Sequence, residues 1–426
     1  MANNIYTNAL ESGRANDSLA ETLGSLANEE LTRPEDAAGI AEFLDREHPW
    51  LIARADPPSR LHPLLGLFQQ VESEEAFAIL RDQGLPVLRA TYDQWIAEDP
   101  PDMRRNDDLM FLVKIFALYA EEQDLPRIAA AARNERLRDE YLWAPVFAVY
   151  HEDHPQYHAL FAILADPLPE GFAGVCLLDA ANAKSRQQTG PHPFNTPAGH
   201  ARLVALLRNP SEEAFSYAHS AAAALPFIDD PPRGELLALG LDHADERVQL
   251  ETAWASASLG SRGGIEYLSR TCLDWRHSAL AVDYLTELGE LNAIPARAKN
   301  PEFMALAEMA RWLAHPMEFG RPPDEISLVD HRRLNWPPAG EPREMYVIRY
   351  RYRGTDATDE GDVGVGLVGN ITFALFGDTN PDMAPEEIYA LHCCWEMNAE
   401  EHPQAPGEPT IAKGRALLRS AGNPGF

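Results

Sequence analysis

The sequence predicts a mainly α-helical protein, an α-solenoid of paired helices that ends in a small C-terminal α+β cap. Three observations lead to this prediction. Residues 35–315 have the pattern of successive helices separated by short polar or proline-containing breaks. Two segments within residues 245–289 resemble each other at a constant offset of 29 residues. After residue 313 the helical spacing ends, and from Met345 onward apolar residues recur at every second position, which is typical of strands.

Several segments in the first half of the chain have the residue pattern of a helix start. Ser73 is followed by two glutamates, so it has the features of a helix N-cap with an acidic first turn. Ser211 begins a segment of the same kind. Within Asp107–Gln123, apolar residues recur at spacings of three and four, which predicts one amphipathic helix.

The internal repeat is clearest in two segments, Asp245–Gly260 and Asp274–Gly289. Each has an aspartate where a helix can begin and a glycine where it can end. A short helix predicted at Gly264–Cys272 makes each unit a helix pair. A third segment, Ser211–Leu225, matches at a looser spacing. We therefore expect helix pairs that stack on their neighbours to bury a shared core.

The segment DERVQLETAWASASLG, which begins at Asp245, resembles the second helix of a HEAT repeat. The resemblance covers two units well and a third partly. It implies an α-solenoid over residues 35–315 whose extended surface holds other proteins. The alternative is an irregular helical domain in which the 29-residue echo is accidental.

The remaining segments have different compositions. Residues 1–34 form a polar N-terminal segment, and residues 316–342 are a proline-rich linker or surface strap. Met345–Arg353 alternates between apolar and charged residues and predicts a strand, and Val363–Leu375 predicts a second one.

The C-terminal part completes the predicted cap. Pro385 begins a helix with an acidic first turn. We expect residues 343–400 to form the α+β cap, a β-hairpin plus this helix, and residues 401–426 to be a loose tail. Such a cap can cover the last apolar face of a solenoid.

Composition restricts the partners. The chain has 426 residues and a formal net charge of −30. Nucleic acids and anionic membranes attract basic proteins, so neither is an expected partner. The N-terminus has no signal-peptide pattern, and the four cysteines form no CxxC pair. We therefore expect a cytoplasmic protein.

The densest group of metal-ligand residue types is His151, His154 and His158. In a continuous helix these three imidazoles would share one face and could bind a metal ion. Pro155 interrupts such a helix, so a solvated loop between helices is the competing interpretation.

A basic group stands out against the acidic background. Arg349, Arg351 and Arg353 lie on one face of the predicted strand and are candidates for contacting a carboxylate or phosphate of a partner. The competing interpretation is pairing with acidic residues of the same chain, including those at positions 356–362.

Three further patterns resemble functional motifs, but each also fits a structural role. Gly364–Gly369 matches GxGxxG, but strand formers follow it instead of a helix. Asp378–Asp382 resembles the start of a calcium loop without its glycine or final glutamate. His392–Cys394 places an imidazole beside thiols, although Cys394 also fits a small core position.

We therefore expect a non-enzymatic scaffold or adaptor that binds a protein partner, preferably a basic one, through an acidic solenoid surface. No catalytic residue and no cofactor are expected. Two alternatives stay open. One is an enzyme on a HEAT-like scaffold, either lyase-like or metal-dependent through the three histidines. The other is a structural subunit of a larger assembly. The sequence leaves the oligomeric state undetermined.

Overall fold

The fold was established from a computed structural model. It describes residues 5–26, 29–53, 59–150, 154–187, 191–354, 361–375 and 382–426. The protein is mainly helical (61%) and has a small four-stranded antiparallel sheet near the C-terminus. Contacts divide it into two compact units, Met1–Leu236 and Leu237–Phe426. No helix in the described ranges is both long and apolar enough to cross a bilayer.

The first unit consists of helices. Their bounds are α1 (Ile5–Asn16), α2 (Leu19–Gly24), α3 (Pro34–Ile52), α4 (His62–Leu67), α5 (Glu74–Ile79), α6 (Leu85–Ile96), α7 (Asn106–Tyr119), α8 (Leu125–Arg133), α9 (Trp143–Val149), α10 (Tyr157–Leu164), α11 (Gly171–Arg186), α12 (Pro197–Leu207) and α13 (Phe215–Ala223). Helix α14 (Pro232–Leu241) crosses the boundary between the units. The polar segment predicted at residues 1–34 contains α1 and α2.

Local sequence signals explain several helix ends. Ser73 caps α5 as predicted, because its hydroxyl accepts the backbone N–H of Ala76 at 3.1 Å. The predicted helix at Asp107–Gln123 is α7, which ends earlier because Ala120 adopts a left-handed conformation. Ser211 makes no side-chain cap, and a 3₁₀ turn separates it from α13.

Side chains join segments that lie about one helix pair apart along the chain. Within each unit, these hydrogen bonds connect residues 27 to 38 positions apart. Examples are Arg89–Asp124 (2.7 Å) and Asn195–Asp229 (2.7 Å) in the first unit, and Glu246–His277 (2.9 Å) and Asp283–Arg311 (2.7 Å) in the second. A repeat array contacts its neighbours at the repeat length, so this pattern is compatible with a helical repeat.

The second unit begins with helices and ends with a sheet between helices. Its elements are α15 (Glu246–Ser258), α16 (Arg262–Thr271), α17 (Ser278–Glu287), α18 (Pro301–Leu313), β1 (Glu325–Trp336), β2 (Glu341–Tyr352), β3 (Asp362–Val368), β4 (Phe373–Leu375), α19 (Pro385–Ala399) and α20 (Ile411–Ser420).

The repeat signals correspond to real helix ends here. The Asp245 carboxylate accepts the backbone N–H groups of Arg247 at 2.8 Å and Val248 at 3.1 Å. Gly260 and Gly289 follow α15 and α17 at φ of 86° and 74°, where glycine is favoured. Asp274 accepts from a backbone N–H in a turn, since α17 begins four residues later.

The sheet has strand order β1-β2-β3-β4, and every neighbouring pair is antiparallel. One face packs on α18, where Met309 contacts the cluster that contains Ile348 and Tyr350. The other face packs on α19 and α20, with Val347 and Leu367 in its core.

The structure therefore extends the predicted hairpin and single helix. Strand β1 lies in the segment predicted as a linker, and α20 lies in the segment predicted as a loose tail. The second predicted strand is divided into β3 and β4 by a turn. Burial alternates along β1, but its apolar pattern is interrupted because Asp330 and Arg332 occupy half-buried positions and Val329 an exposed one. Prolines also flank the strand on both sides.

Candidate functional site

An apolar groove of the second unit lies between α17 and α18, and we call it the α17–α18 groove. Its volume is about 530 Å³. Strand β2 and the end of β3 close one side. The main apolar side chains that line it are Val282, Ile294, Met304, Ala305, Tyr346 and Val368.

Helix α18 supplies most of one wall. Asn300 caps this helix by accepting the backbone N–H of Phe303 at 3.1 Å, and Pro301 follows as the first helical residue. From this start, Met304, Glu308 and Arg311 follow at spacings of four and three, so they share one helix face along the groove.

Met304 is the most unusual side chain of the groove. Its side chain is 54% exposed, although burying the side chain of a methionine away from water is favourable. Ile294 and Tyr346 beside it are buried and form a firm wall. Methionine is flexible and polarisable, so it can adapt to the shape of an inserted apolar group. The groove can therefore accept an apolar side chain.

The groove lining contains three carboxylates (Asp283, Glu308 and Glu344) and two cations (Lys299 and Arg311), a formal net charge of −1. Burial raises the pKa of the Tyr346 hydroxyl, and the carboxylates of Glu344 and Glu302 raise it further. Both carboxylates therefore act on the same end of the groove. The Arg311 guanidinium is already paired with Asp283 at 2.7 Å. Lys299 donates to a backbone carbonyl at 3.1 Å.

Two polar groups of the groove, Ser278 and Glu344, have hydrogen-bond partners. The Ser278 hydroxyl donates to the Cys272 carbonyl oxygen at 2.8 Å and is buried, so it is not placed as a nucleophile. Glu344 accepts from His331 at 2.8 Å, and that imidazole belongs to β1 outside the groove lining.

The predicted metal-binding histidines are only partly described. His151 lies outside the described residues, and His158 is exposed on α10. His154 is buried; its Nε2 lies 3.0 Å from the Ala117 carbonyl oxygen, and its Nδ1 accepts the Gln156 N–H at 3.2 Å. A metal ion would have to displace one of these bonds, and metal binding here stays a prediction.

A different group has the spacing of metal ligands within the described ranges. Donor atoms of Glu246, Asp274 and His277 lie within 4.8 Å of one another. The group contains the 2.9 Å contact between His277 and Glu246, which joins the two repeat segments. The sequence contains a signal for this group: Glu246 follows the repeat aspartate Asp245, and His277 follows the next one, Asp274. Stacking of the two repeat segments would bring these positions together. The cluster is partly exposed, and the direct hydrogen bond between His277 and Glu246 brings these two residues together without a metal.

The predicted arginine face lies on β2 and just beyond its end. Arg349, Arg351 and Arg353 are all exposed. The Arg353 guanidinium pairs with Glu325 at 3.0 Å, and its backbone N–H donates to Asp324 at 2.8 Å. The acids predicted at positions 356–360 lie outside the described residues. Contact of this arginine face with a partner stays a prediction.

The glycines of the GxGxxG match belong to strand packing. Gly364 and Gly366 lie in β3, and Gly369 begins the turn to β4. A Cβ atom on Gly364 would meet the Tyr350 ring at 2.3 Å, and one on Gly366 would meet the Met309 side chain at 2.4 Å. Because glycine has no side chain, β3 can pack closely against Tyr350 and Met309 at these positions. This agrees with a structural role for the glycines.

The calcium-like segment and the His392–Cys394 segment do not form a binding or catalytic site in the described residues. Asp378 and Asn380 of the calcium-like segment lie outside the described residues. Burial raises the pKa of both the Cys393 and the Cys394 thiol, and Cys394 donates to the Thr410 carbonyl oxygen at 3.4 Å. Burial lowers the pKa of His392 to about 3, so this imidazole is a poor base at neutral pH.

Comparisons with models of protein families, with curated proteins and with solved structures find no match to this chain.

Proposed function

We propose that the protein is a non-enzymatic scaffold or adaptor that binds a basic segment of a partner protein. The observation that carries the proposal is the α17–α18 groove, where an exposed methionine lies beside carboxylates in a chain of net charge −30. We propose that this partner segment inserts an apolar side chain into the groove. Its lysines or arginines then lie against the carboxylates at the margin of the groove.

The HEAT-like solenoid belongs to the same proposal. The repeated aspartate and glycine positions support it, and so do the side-chain bonds between residues about one helix pair apart. Stacked helix pairs produce extended surfaces on which partners bind. A solenoid would place the α17–α18 groove on one such surface.

The energetic roles of the two features differ. Full burial of one leucine- or methionine-sized side chain contributes about 1.5–3 kcal/mol. An exposed ion pair contributes only about 0.2–1 kcal/mol. The apolar anchor therefore supplies most of the affinity, whereas the carboxylates select basic partners and accelerate encounter.

The proposal can be tested without assuming a sequence for the partner. A library of random peptides displayed on phage is selected against the full chain, and bound phage are competed off with wild-type protein. Basic sequences with one recurring apolar position are expected. Enrichment of acidic sequences, or no enrichment over an unrelated acidic protein, would contradict the proposal.

Variants locate the binding surface. Met304→Asp puts a charge where the apolar anchor inserts, and Glu308→Lys reverses one charge beside it. Glu266→Lys makes the same charge reversal at an exposed position of α16 that does not line the groove. The proposal requires that the first two variants no longer compete for the selected peptides, whereas Glu266→Lys competes like wild type.

A further inference from the structure

The first unit contains a separate cavity of about 410 Å³ between α9 and α11, with Tyr157 at the start of α10 on its wall. Small residues on facing helices, among them Ala148 and Ala183, leave the space open. Phe147, Tyr150 and Tyr157 supply aromatic surface. Such a volume can hold a small organic molecule or one long side chain.

Asp179 places a carboxyl group in this cavity. The side chain is exposed and lies in the concave wall of the cavity. Desolvation raises the pKa of this carboxyl group. A hydrogen bond with Ser220 and the charge of His219 oppose that shift more weakly. An additional positive charge would therefore stabilise the carboxylate.

The aromatic wall already holds a cation. The Lys184 ammonium lies 3.1 Å from the centroid of the Tyr157 ring, and this lysine is buried. Aromatic faces attract ammonium groups through the ring quadrupole, especially where water is excluded. The chain's own ammonium group therefore occupies the Tyr157 face, and the rings of Phe147 and Tyr150 are the aromatic surface left for a ligand.

Tyr150 lies on the wall of the cavity and is almost fully buried. The residue is 3% exposed, and its hydroxyl has no hydrogen-bond partner in the part of the chain that the structure describes. A buried hydroxyl without a partner costs free energy, and such groups are rare in native proteins. The oxygen itself is shielded, so the cavity presents the ring of Tyr150 to a ligand and not its hydroxyl.

We propose that this cavity binds an organic ammonium group on a short apolar or aromatic body, with Asp179 as the counter-ion and Phe147 and Tyr150 against the body. The ammonium group belongs either to a free amine or to a lysine side chain of a partner. Binding is non-covalent, since burial raises the pKa of the Cys176 thiol to about 12 and keeps it protonated. The site does not depend on the α17–α18 groove, which lies in the other unit.

Isothermal titration calorimetry on the full chain tests the proposal with three probes. 2-Phenylethylamine represents free amines, Nα-acetyl-lysine methylamide represents a lysine side chain, and 2-phenylethanol is the uncharged control. Saturable binding of at least one ammonium probe is expected, at least about tenfold tighter than the alcohol, a difference of about 1.4 kcal/mol. Binding of the lysine probe alone assigns the source to a partner, whereas binding of phenylethylamine alone assigns it to free amines.

Two variants remove the site in different ways. Asp179→Asn removes the counter-ion, and Ala183→Phe fills the cavity from an exposed position where folding is not threatened. Each should weaken binding at least about tenfold. Asp45→Asn, an identical change at an exposed site on α3, should leave it unchanged. The proposal is overturned if neither ammonium probe binds more tightly than about 10 mM, if the alcohol binds equally well, or if both cavity variants bind like wild type.

Discussion

Replacing Tyr284 by phenylalanine tests whether one repeat segment holds the next. The Tyr284 hydroxyl donates to the Glu251 carboxylate, which is 1% exposed and lies 33 residues earlier. The substitution keeps the ring and removes one bond to a buried charged group. Such bonds contribute about 1.5–3 kcal/mol. We therefore expect the free energy of unfolding of Tyr284→Phe to fall by about 2 kcal/mol.

Tyr267→Phe is the matched control. The Tyr267 hydroxyl donates to the neutral Gln249 side chain at 2.7 Å, between α15 and α16 of one helix pair, and the residue is half-buried. Loss of this bond should cost only about 0.5–1.5 kcal/mol. Urea denaturation followed by circular dichroism and tryptophan fluorescence measures both variants. If Tyr284→Phe is no less stable than Tyr267→Phe, the contact between repeat segments does not contribute as the structure indicates.

Three further predictions concern stability and reactivity. Asp245→Ala removes the cap of α15 and should lower the free energy of unfolding by about 1 kcal/mol in urea denaturation, whereas an unchanged value would show that the cap is not formed. Burial lowers the pKa of His392 to about 3 and that of His192 to about 4, so the unfolded chain binds protons that the folded chain does not. Stability should therefore fall as the pH drops below about 6.5, and His392→Phe should flatten the dependence between pH 6.5 and 4, as measured by urea midpoints; an equal slope would contradict this. All four cysteines are buried with raised thiol pKa values, so iodoacetamide followed by mass spectrometry should label them quickly only in denaturant, and rapid labelling of folded protein would refute their burial.

The helical part and one central strand could be predicted because their side chains follow one period. Met345–Arg353 alternates in β2, where Tyr346, Ile348, Tyr350 and Tyr352 face α18. Met345 and Val347 face α19 and α20 on the other side of the sheet. Helix α20 was missed because its amphipathic pattern is short and follows a segment rich in proline and glycine. Its Gly414 packs so closely on Ala390 of α19 that a Cβ atom would lie 1.7 Å from the Ala390 carbonyl oxygen. That contact joins distant segments and leaves no local signal.

The α17–α18 groove could not be predicted for a similar reason. Its walls come from two helices and two strands, and the sequence alone does not show which apolar side chains stay exposed. Met304 lies in a helix whose other apolar residues are mostly buried, so the helical period assigns it no special role. The cavity beside Asp179 could not be predicted either, although Tyr157 of its wall lies between His154 and His158 in the sequence.

The central claim is that the acidic margin of the α17–α18 groove binds a basic segment. Its most direct test is the dissociation constant of a selected basic peptide, measured by fluorescence anisotropy with wild type, Glu308→Lys and Glu266→Lys at low and high salt. The account predicts at least about tenfold weaker binding for Glu308→Lys, little change for Glu266→Lys, and weaker binding to wild type at high salt. Equal affinities for all three proteins, with no dependence on salt, would contradict it.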